Sequence, residues 1–168
     1  LERACAQIAD APVDVVAAGR TDTGVHAALQ IVHFSTSTVR PLTAWVRGVN
    51  AHLPASIAVR WAVEVGGDFH ARFSAISRRY TYWLIDRDAR PGLNAGRVGW
   101  THVPMNVDAM HEGAQALVGT HDFSAFRAAQ CQAKSPVKTM RSISVRRIGA
   151  YIRIDVHANA FLHHMVRN

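Results

Sequence analysis

Residues 18–27 read AGRTDTGVHA, a glycine-bracketed segment in which an arginine and a carboxylate stand two positions apart. Gly19 and Gly24 permit a sharp turn that would hold the Asp22 side chain in one direction. The guanidinium of Arg20 would favour the ionised form of this acid. An ionised carboxylate can attack carbon as a nucleophile or act as a general base. Taken alone, the segment also fits a plain turn in which Asp22 bonds its own backbone or caps a short helix.

The positive charge is concentrated near the end of the chain. The formal net charge is +7, yet residues 1–126 contain 11 basic and 11 acidic side chains. Residues 127–168 contain eight basic side chains and one acid. Seventeen of the 19 bases are arginines, whose planar guanidinium binds phosphate and stacks on nucleobases. This asymmetry favours a nucleic-acid surface, with Arg146 and Arg147 as candidate phosphate contacts, over a merely solvated basic face.

Several classes of protein and site find no support in the sequence. There is no apolar run of the roughly 20 residues that a bilayer span needs and no signal-peptide pattern, so we expect a cytoplasmic protein without a membrane segment. Cys5 and Cys131 lack metal-ligand spacing, and the ten histidines are scattered, so we expect no metal. Serine-hydrolase, P-loop and dinucleotide-binding motifs are also missing.

Apolar patterns predict the elements around the Asp22 loop. Strands over residues 13–18 and 29–34 would place the loop at the end of a sheet, where functional groups are common. A helix precedes them, since the apolar positions 1, 4, 5 and 8 share one helical face. A second helix is predicted after Pro41. Residues 57–65 alternate strictly between apolar and other side chains, which predicts a strand with one buried face.

The next segment predicts a strand, a loop and a helix. The strand covers residues 79–85 and carries Tyr80. Residues 86–97 are rich in Asp, Arg, Gly and Pro and predict a connecting loop. Asn106 is positioned to cap a helix that ends at Gly119.

The last segment predicts a hairpin followed by the start of a helix. Strands over residues 142–147 and 151–157 would turn near Gly149, and residues 161–168 would begin the helix. Strands and helices are therefore mixed without regular alternation. This order predicts an α+β fold with helices packed on a largely antiparallel sheet.

Several separated segments together resemble one known family. Beside AGRTDTGVHA they are FHARFSA at residues 69–75, RRY at 78–80, DFSAFRAAQCQ at 122–132 and NAFLHHMVRN at 159–168. In these segments and their order the chain closely resembles the tRNA pseudouridine synthase TruA family. The similarity extends over essentially the whole chain.

The resemblance implies a role for four residues. Asp22 corresponds to the catalytic nucleophile of the family, and Tyr80 to the tyrosine that stacks on the target uracil. Arg167 corresponds to the arginine that pairs with the aspartate, and Arg20 to the arginine that helps hold the RNA open at the flipped base. The implied reaction is an isomerisation of uridine to pseudouridine in the tRNA anticodon stem-loop, at conventional positions 38 to 40, without metal or cofactor.

The resemblance also implies a fold and an assembly. Two ferredoxin-like (RRM-like) halves would share one antiparallel sheet, with helices on one side and a central active-site cleft. The expected N-terminal half covers residues 1–85 and the basic C-terminal half residues 98–168, joined by the loop 86–97. Both halves would be incomplete here, because the first strand and the C-terminal elements of the family are absent. The implied assembly is a homodimer that grips the tRNA anticodon arm.

Two other functions compete with this interpretation. A non-catalytic RNA-binding module would also use a basic antiparallel sheet with exposed tyrosines and arginines, and Asp22 would then be incidental. A carboxylate-based glycosidase acting on a nucleoside would need a second acid as proton donor, and no second carboxylate stands in a comparable loop. Tyr80 and Arg167 also have structural alternatives, as a half-buried strand residue and a surface residue.

Overall fold

A computed structural model describes residues 1–19, 21 and 24–168 of the chain. The described residues form two compact units. The first unit contains residues 1–19, 21 and 26–75, and the second contains residues 24–25 and 76–168. Helices and sheets are mixed along the chain, which confirms the α+β class predicted from the order of elements.

The first unit packs two helical segments beside a small sheet. Helix α1 spans Glu2–Ala9, and a π-helical turn at Ala44–Gly48 continues into α2, Val49–Ala51. Strand β1, Val16–Ala17, pairs antiparallel with β2, Val32–His33. The buried core draws on both helical segments and consists of Ala4, Cys5, Ala9, Val13, Trp45 and Val49. The predicted helices and the strands flanking the Asp22 loop are confirmed, although both strands are shorter than predicted.

The strand predicted over residues 57–65 is wrong. This segment forms no ladder with another strand among the described residues. The Asn50 side chain takes the place of a neighbouring strand, because its amide donates to the Val59 carbonyl at 2.8 Å and accepts from the Val59 N–H at 2.7 Å. The apolar side chains that suggested a buried face, such as Trp61 and Val63, are 53% and 60% exposed.

The second unit is built on a five-stranded sheet in the order β4-β3-β7-β6-β5. The strands are β3 (Arg78–Asp86), β4 (Gly99–Thr101), β5 (Gly119–Asp122), β6 (Val137–Ile148) and β7 (Tyr151–Ala158). Every pairing is antiparallel except that of β3 with β4, which is parallel. The sequence patterns predicted β3, β6 and β7 but not the short outer strands β4 and β5.

The hairpin of β6 and β7 lies at the centre of this unit. It turns at Gly149, whose φ of +58° favours glycine. Ile152 and Val156 face inward and are buried. They lie on the side of the sheet that faces helix α3, Val107–Gln115, where the Gln115 side chain donates to the Ile143 carbonyl at 3.2 Å.

The core of the second unit contains residues of the sheet and of the segment that follows β7. Its buried members are Phe123, Met140, Ile143, Val156, Ala158, Leu162 and Met165. Helix α3 begins as predicted, because the Asn106 side chain accepts the Ala109 N–H at 3.0 Å. The helix predicted over residues 161–168 is wrong. This segment forms hydrogen-bonded turns, and His164 has a φ of +61°, outside the right-handed helical region.

Candidate functional site

The two ends of the Asp22 loop are joined by backbone and side-chain hydrogen bonds. Beyond the pairing of β1 with β2, the Ala18 N–H donates to the Ile31 carbonyl at 2.8 Å. The Gln30 side chain donates to the Gly19 carbonyl at 2.7 Å. Gly24 has a φ of +83°, so this part of the predicted turn requires the freedom of glycine. These contacts fix the base of the loop. Arg20 and Asp22 themselves lie outside the described residues.

The FHARFSA segment packs against the strand that leaves this loop. The His33 ring nitrogen Nδ1 of β2 accepts the Ala71 N–H at 3.1 Å, and Ala71 is buried. The His33 ring also contacts the rings of Phe69 and His70, with centroids 6.1 and 4.7 Å away. Through these contacts the FHARFSA segment supports β2, the strand next to the Asp22 loop.

Tyr80 lies on the helix-facing side of β3, opposite Val156 of β7. It is half-buried, and its ring meets that of Phe161 edge to face, with centroids 4.9 Å apart and planes at 89°. Such pairs prefer this geometry and stabilise one orientation of the ring. Phe161 lies in the NAFLHHMVRN segment, but the sequence alone gives no reason to assign it a function. The contact with Tyr80 provides that reason.

The segment that carries Phe161 and Arg167 is anchored at its beginning by Asn159. The Asn159 side-chain oxygen accepts the N–H groups of Thr139 at 3.0 Å and Ala160 at 2.8 Å. The Asn159 carbonyl also accepts from the Arg78 guanidinium at 3.2 Å. These bonds fix the segment to β6 and to the start of β3.

Further contacts hold the same segment against residues 122–132. The His163 N–H donates to the Cys131 sulfur at 3.3 Å, and the His163 carbonyl accepts the Ala128 N–H at 3.2 Å. Leu162 and Met165 are buried. Arg167 is left exposed at the end of this anchored segment. The structure therefore brings two of the motifs identified in the sequence into direct contact.

Arg147 is held by a carboxylate within the fold. Its guanidinium donates to both oxygens of Asp86, each at 2.8 Å, and to the Met105 carbonyl at 3.3 Å. The Asp86 side chain is only 5% exposed. The Arg147 hydrogen bonds, together with one from the Met105 N–H, hold the pKa of the Asp86 carboxyl well below its ordinary value. These contacts join Arg147 of β6 to the end of β3 and to the loop before α3, so its guanidinium is already paired with a carboxylate within the fold.

Arg146 lies on the other face of the sheet and shares one carboxylate with Arg153. The Asp155 side chain accepts from Arg146 at 3.3 Å, from Arg153 at 3.0 Å and from the Thr81 hydroxyl at 2.6 Å. Burial raises the pKa of the Asp155 carboxyl, but the hydrogen bonds from Thr81 and Arg153 outweigh burial, and the pKa lies below its ordinary value. The Arg146 side chain remains 63% exposed.

The described residues contain no group of three or more His, Cys, Asp or Glu side chains that could hold a metal ion. The rings of His163 and His164 lie 3.9 Å apart, centroid to centroid. No helix in the described part of the chain is long and apolar enough to span a membrane.

The comparisons with known proteins identify the family. A family model described as tRNA pseudouridine synthase matches residues 1–74 and 114–168. The chain belongs to the tRNA pseudouridine synthase family. The resemblance seen in its motifs is thereby confirmed, and the loop containing Asp22 and the segment containing Arg167 both lie within the matched residues. Tyr80 lies between the two matched ranges.

Curated relatives match the whole of the chain. A protein of Thiobacillus denitrificans named tRNA pseudouridine synthase A is 61% identical over 168 residues, which are 100% of this chain and 65% of the relative. Proteins of the same name from Dechloromonas aromatica and Pseudomonas aeruginosa are 60% and 55% identical over the whole chain, which covers 64% and 59% of their lengths. The chain therefore spans just under two thirds of these relatives.

Proposed function

We propose that the chain is the catalytic part of a cytoplasmic tRNA pseudouridine synthase, an isomerase that converts uridine to pseudouridine at positions 38 to 40 of the anticodon stem-loop. The observation that carries this proposal is membership of the tRNA pseudouridine synthase family, together with relatives of that name that match every residue of the chain. The proposed reaction needs no cofactor, since it changes neither the atoms nor the oxidation state of the nucleotide.

In the proposed reaction, the Asp22 carboxylate is the nucleophile. It forms a transient bond to the nucleotide, either at ribose C1′ or at the uracil ring, and that bond breaks again when the product forms. The bond between uracil N1 and ribose C1′ breaks, the base turns, and a bond forms between C1′ and uracil C5. The proton on C5 leaves and N1 acquires one, so atoms and charge balance. The guanidiniums of Arg20 and Arg167 would favour the ionised carboxylate that this role requires. The anchored base of the loop, with its Gln30 to Gly19 bond, supports a fixed direction for the nucleophile.

The target base must leave the helical stack before the carboxylate can reach it, which costs a few kcal/mol. Tyr80 would offset part of this cost by stacking on the flipped uracil, since stacking on an aromatic side chain contributes about 1–3 kcal/mol per base. The edge-to-face contact with Phe161 supports this role, because a ring with one orientation loses less entropy when a base binds. Arg20 would help hold the RNA open.

Two ferredoxin-like halves with a shared sheet and a central cleft remain our proposal for the complete fold. The proposed halves are residues 1–85 and 98–168, joined by 86–97. The proposed assembly is a homodimer bound to the anticodon arm of tRNA.

The proposal is tested with tRNA transcripts that carry tritium at uracil C5. We expect tritium release from tRNA with uridine at positions 38 to 40, and none from a matched transcript with cytidine at these positions. Binding without tritium release would favour the RNA-binding module, and release of free uracil would favour the glycosidase. Either result would overturn the proposed reaction.

A further inference from the structure

The solvent face of the five-stranded sheet carries a group of polar and basic side chains that the proposed reaction does not use. They line a shallow groove of about 220 Å³. The side chains that define this basic face are Arg79, Ser142, Ser144, Arg146, Arg153, Asp155 and His157. We propose that this basic face binds the phosphate backbone of the tRNA outside the target loop, an inference that rests on the proposed function.

The register of the sheet separates the basic face from Tyr80. Tyr80 stands opposite Val156, and both side chains pack toward the buried core. Arg79 stands opposite His157, one position along each strand. Because successive side chains of a strand point to opposite faces, Arg79 projects away from the side that Tyr80 occupies. Phosphates bound at the basic face are therefore separated from a base stacked on Tyr80 by the thickness of the sheet.

The charges on this face fit a polyanion. The groove is lined by three arginines and a single carboxylate, Asp155, which pairs with Arg146 and Arg153, so the face keeps a net charge of about +2. Arg79 is exposed and makes no ion pair within the described part of the chain. Arg146 keeps 63% of its side-chain surface exposed. Guanidinium groups with unused N–H donors, beside serine hydroxyls, are the groups that contact phosphate oxygens in RNA complexes.

Contacts within the face orient two of its arginines, Arg146 and Arg153. Asp155 accepts from residues on β3, β6 and β7, and thus joins three strands. The Arg153 guanidinium also lies over the Trp83 ring, 5.7 Å from its centroid, which fixes its aliphatic stem. A preorganised arginine loses less conformational entropy when it binds a phosphate. Asp155 thus orients Arg146 and Arg153, but its single negative charge neutralises only part of the positive charge of the face.

A second copy of the chain fits the face less well than RNA does. In a two-fold symmetric dimer the same patch meets itself, so a contact through this face would bring three arginines of each copy together. Such like-charge contacts oppose association. The charge therefore favours RNA as the partner.

The test measures the salt dependence of tRNA binding for Arg79→Gln, Arg146→Gln and the double variant. Glutamine keeps much of the aliphatic stem and removes the charge. Arg3→Gln is the matched control, since Arg3 is an exposed arginine of α1 in the other unit. We expect each variant of the basic face to reduce the slope of log K against log salt by about 0.7–0.9, the value for one lost phosphate contact. The control should keep the wild-type slope.

A double variant that binds tRNA with the wild-type slope would overturn the proposal. So would a change of oligomeric state in sedimentation without a change in the slope, because the face would then be a protein interface. A short anticodon stem-loop serves as a second ligand, and we expect its slope to change less than that of the whole tRNA. An equal change would place the contact within the target loop and contradict the inference.

These outcomes are distinct from failure of the proposed function. If wild-type protein forms no pseudouridine in the same tRNA, the catalytic proposal fails while the salt slopes still decide the binding face. Should Arg146→Gln fail to fold, as judged by circular dichroism, Arg79→Gln alone decides the result, since Arg79 makes no ion pair among the described residues.

Discussion

The rings of Tyr80 and Phe161 meet at 89° with their centroids 4.9 Å apart. This contact joins β3 to the anchored segment that carries Arg167, so the segments of two proposed site residues pack against each other. The orientation of Tyr80 thus depends on a residue about 80 positions away in the sequence. Substitution of Phe161 should therefore affect a reaction that depends on stacking by Tyr80.

We expect Phe161→Leu to lower kcat/KM for tRNA by roughly 2- to 12-fold, because an edge-to-face pair contributes about 0.5–1.5 kcal/mol. Phe161→Tyr keeps the aromatic ring and should therefore retain most of the wild-type activity. Single-turnover kinetics on tRNA provide the measurement, with a thermal melt of each variant to verify the fold. Wild-type kinetics for Phe161→Leu would show that the contact has no part in orienting Tyr80.

Arg146 and Arg147 are neighbours in sequence with opposite expected behaviour. Arg147→Ala leaves the nearly buried Asp86 carboxylate without its bidentate partner, and unpaired buried charge is strongly destabilising. We expect a clear fall in the melting temperature. Arg146→Ala removes an exposed guanidinium and leaves Asp155 paired with Arg153, so we expect a cost of less than about 1 kcal/mol and mainly weaker tRNA binding. Thermal melts and binding curves of both variants test this division, and equal melting temperatures would contradict it.

The Asp86 carboxyl should contribute to the pH dependence of stability. Its pKa in the folded protein is lowered by the hydrogen bonds from Arg147, whereas an unfolded aspartate has a pKa of about 3.9. Below this value the unfolded state binds more protons than the folded state, so stability rises with pH. The contribution is complete above the unfolded pKa and is lost as the pH falls toward the folded value.

Urea unfolding of wild type and Asp86→Asn, from about pH 6 to about pH 2.5, measures this contribution. The wild-type midpoint should fall more steeply on acidification than that of the variant. Parallel midpoint curves would mean that Asp86 is not the carboxyl responsible.

Arg167→Ala should lower turnover more than tRNA affinity if this arginine positions Asp22. We expect a loss of about 10²-fold in kcat, the cost of a misplacement of about 1 Å at a reacting group. Comparison of kcat with the dissociation constant for tRNA separates positioning from binding. Equal losses in both quantities would indicate a binding role only, and Arg167→Lys shows how much depends on charge.

The sequence predicted the parts of the fold whose local pattern agrees with their packing. The β6 and β7 hairpin and the Asn106 cap are determined by alternation, by glycine and by a capping amide, all of which act locally. The strand predicted over residues 57–65 failed because pattern alone does not show whether a partner strand exists. There the Asn50 amide satisfies the Val59 backbone groups instead.

Contacts between distant residues could not be predicted from one sequence. The pairing of Arg147 with Asp86 and the sharing of Asp155 by three strands depend on the register of the sheet, which no local pattern specifies. The contact between Phe161 and Tyr80 could not be predicted either, because only the folded chain brings these two residues together. The roles of Asp22, Arg20, Tyr80 and Arg167 remain predictions that follow from the family resemblance.

The proposed reaction requires Asp22 as its nucleophile. This claim is tested by tritium release from C5-labelled tRNA, measured for wild type and Asp22→Asn at equal tRNA occupancy. We predict that the asparagine variant binds tRNA within a few-fold of wild type but loses at least about 10⁴-fold in rate, since removal of a catalytic nucleophile can cost about 10⁶-fold. Equal tritium release by the two proteins would contradict the claim.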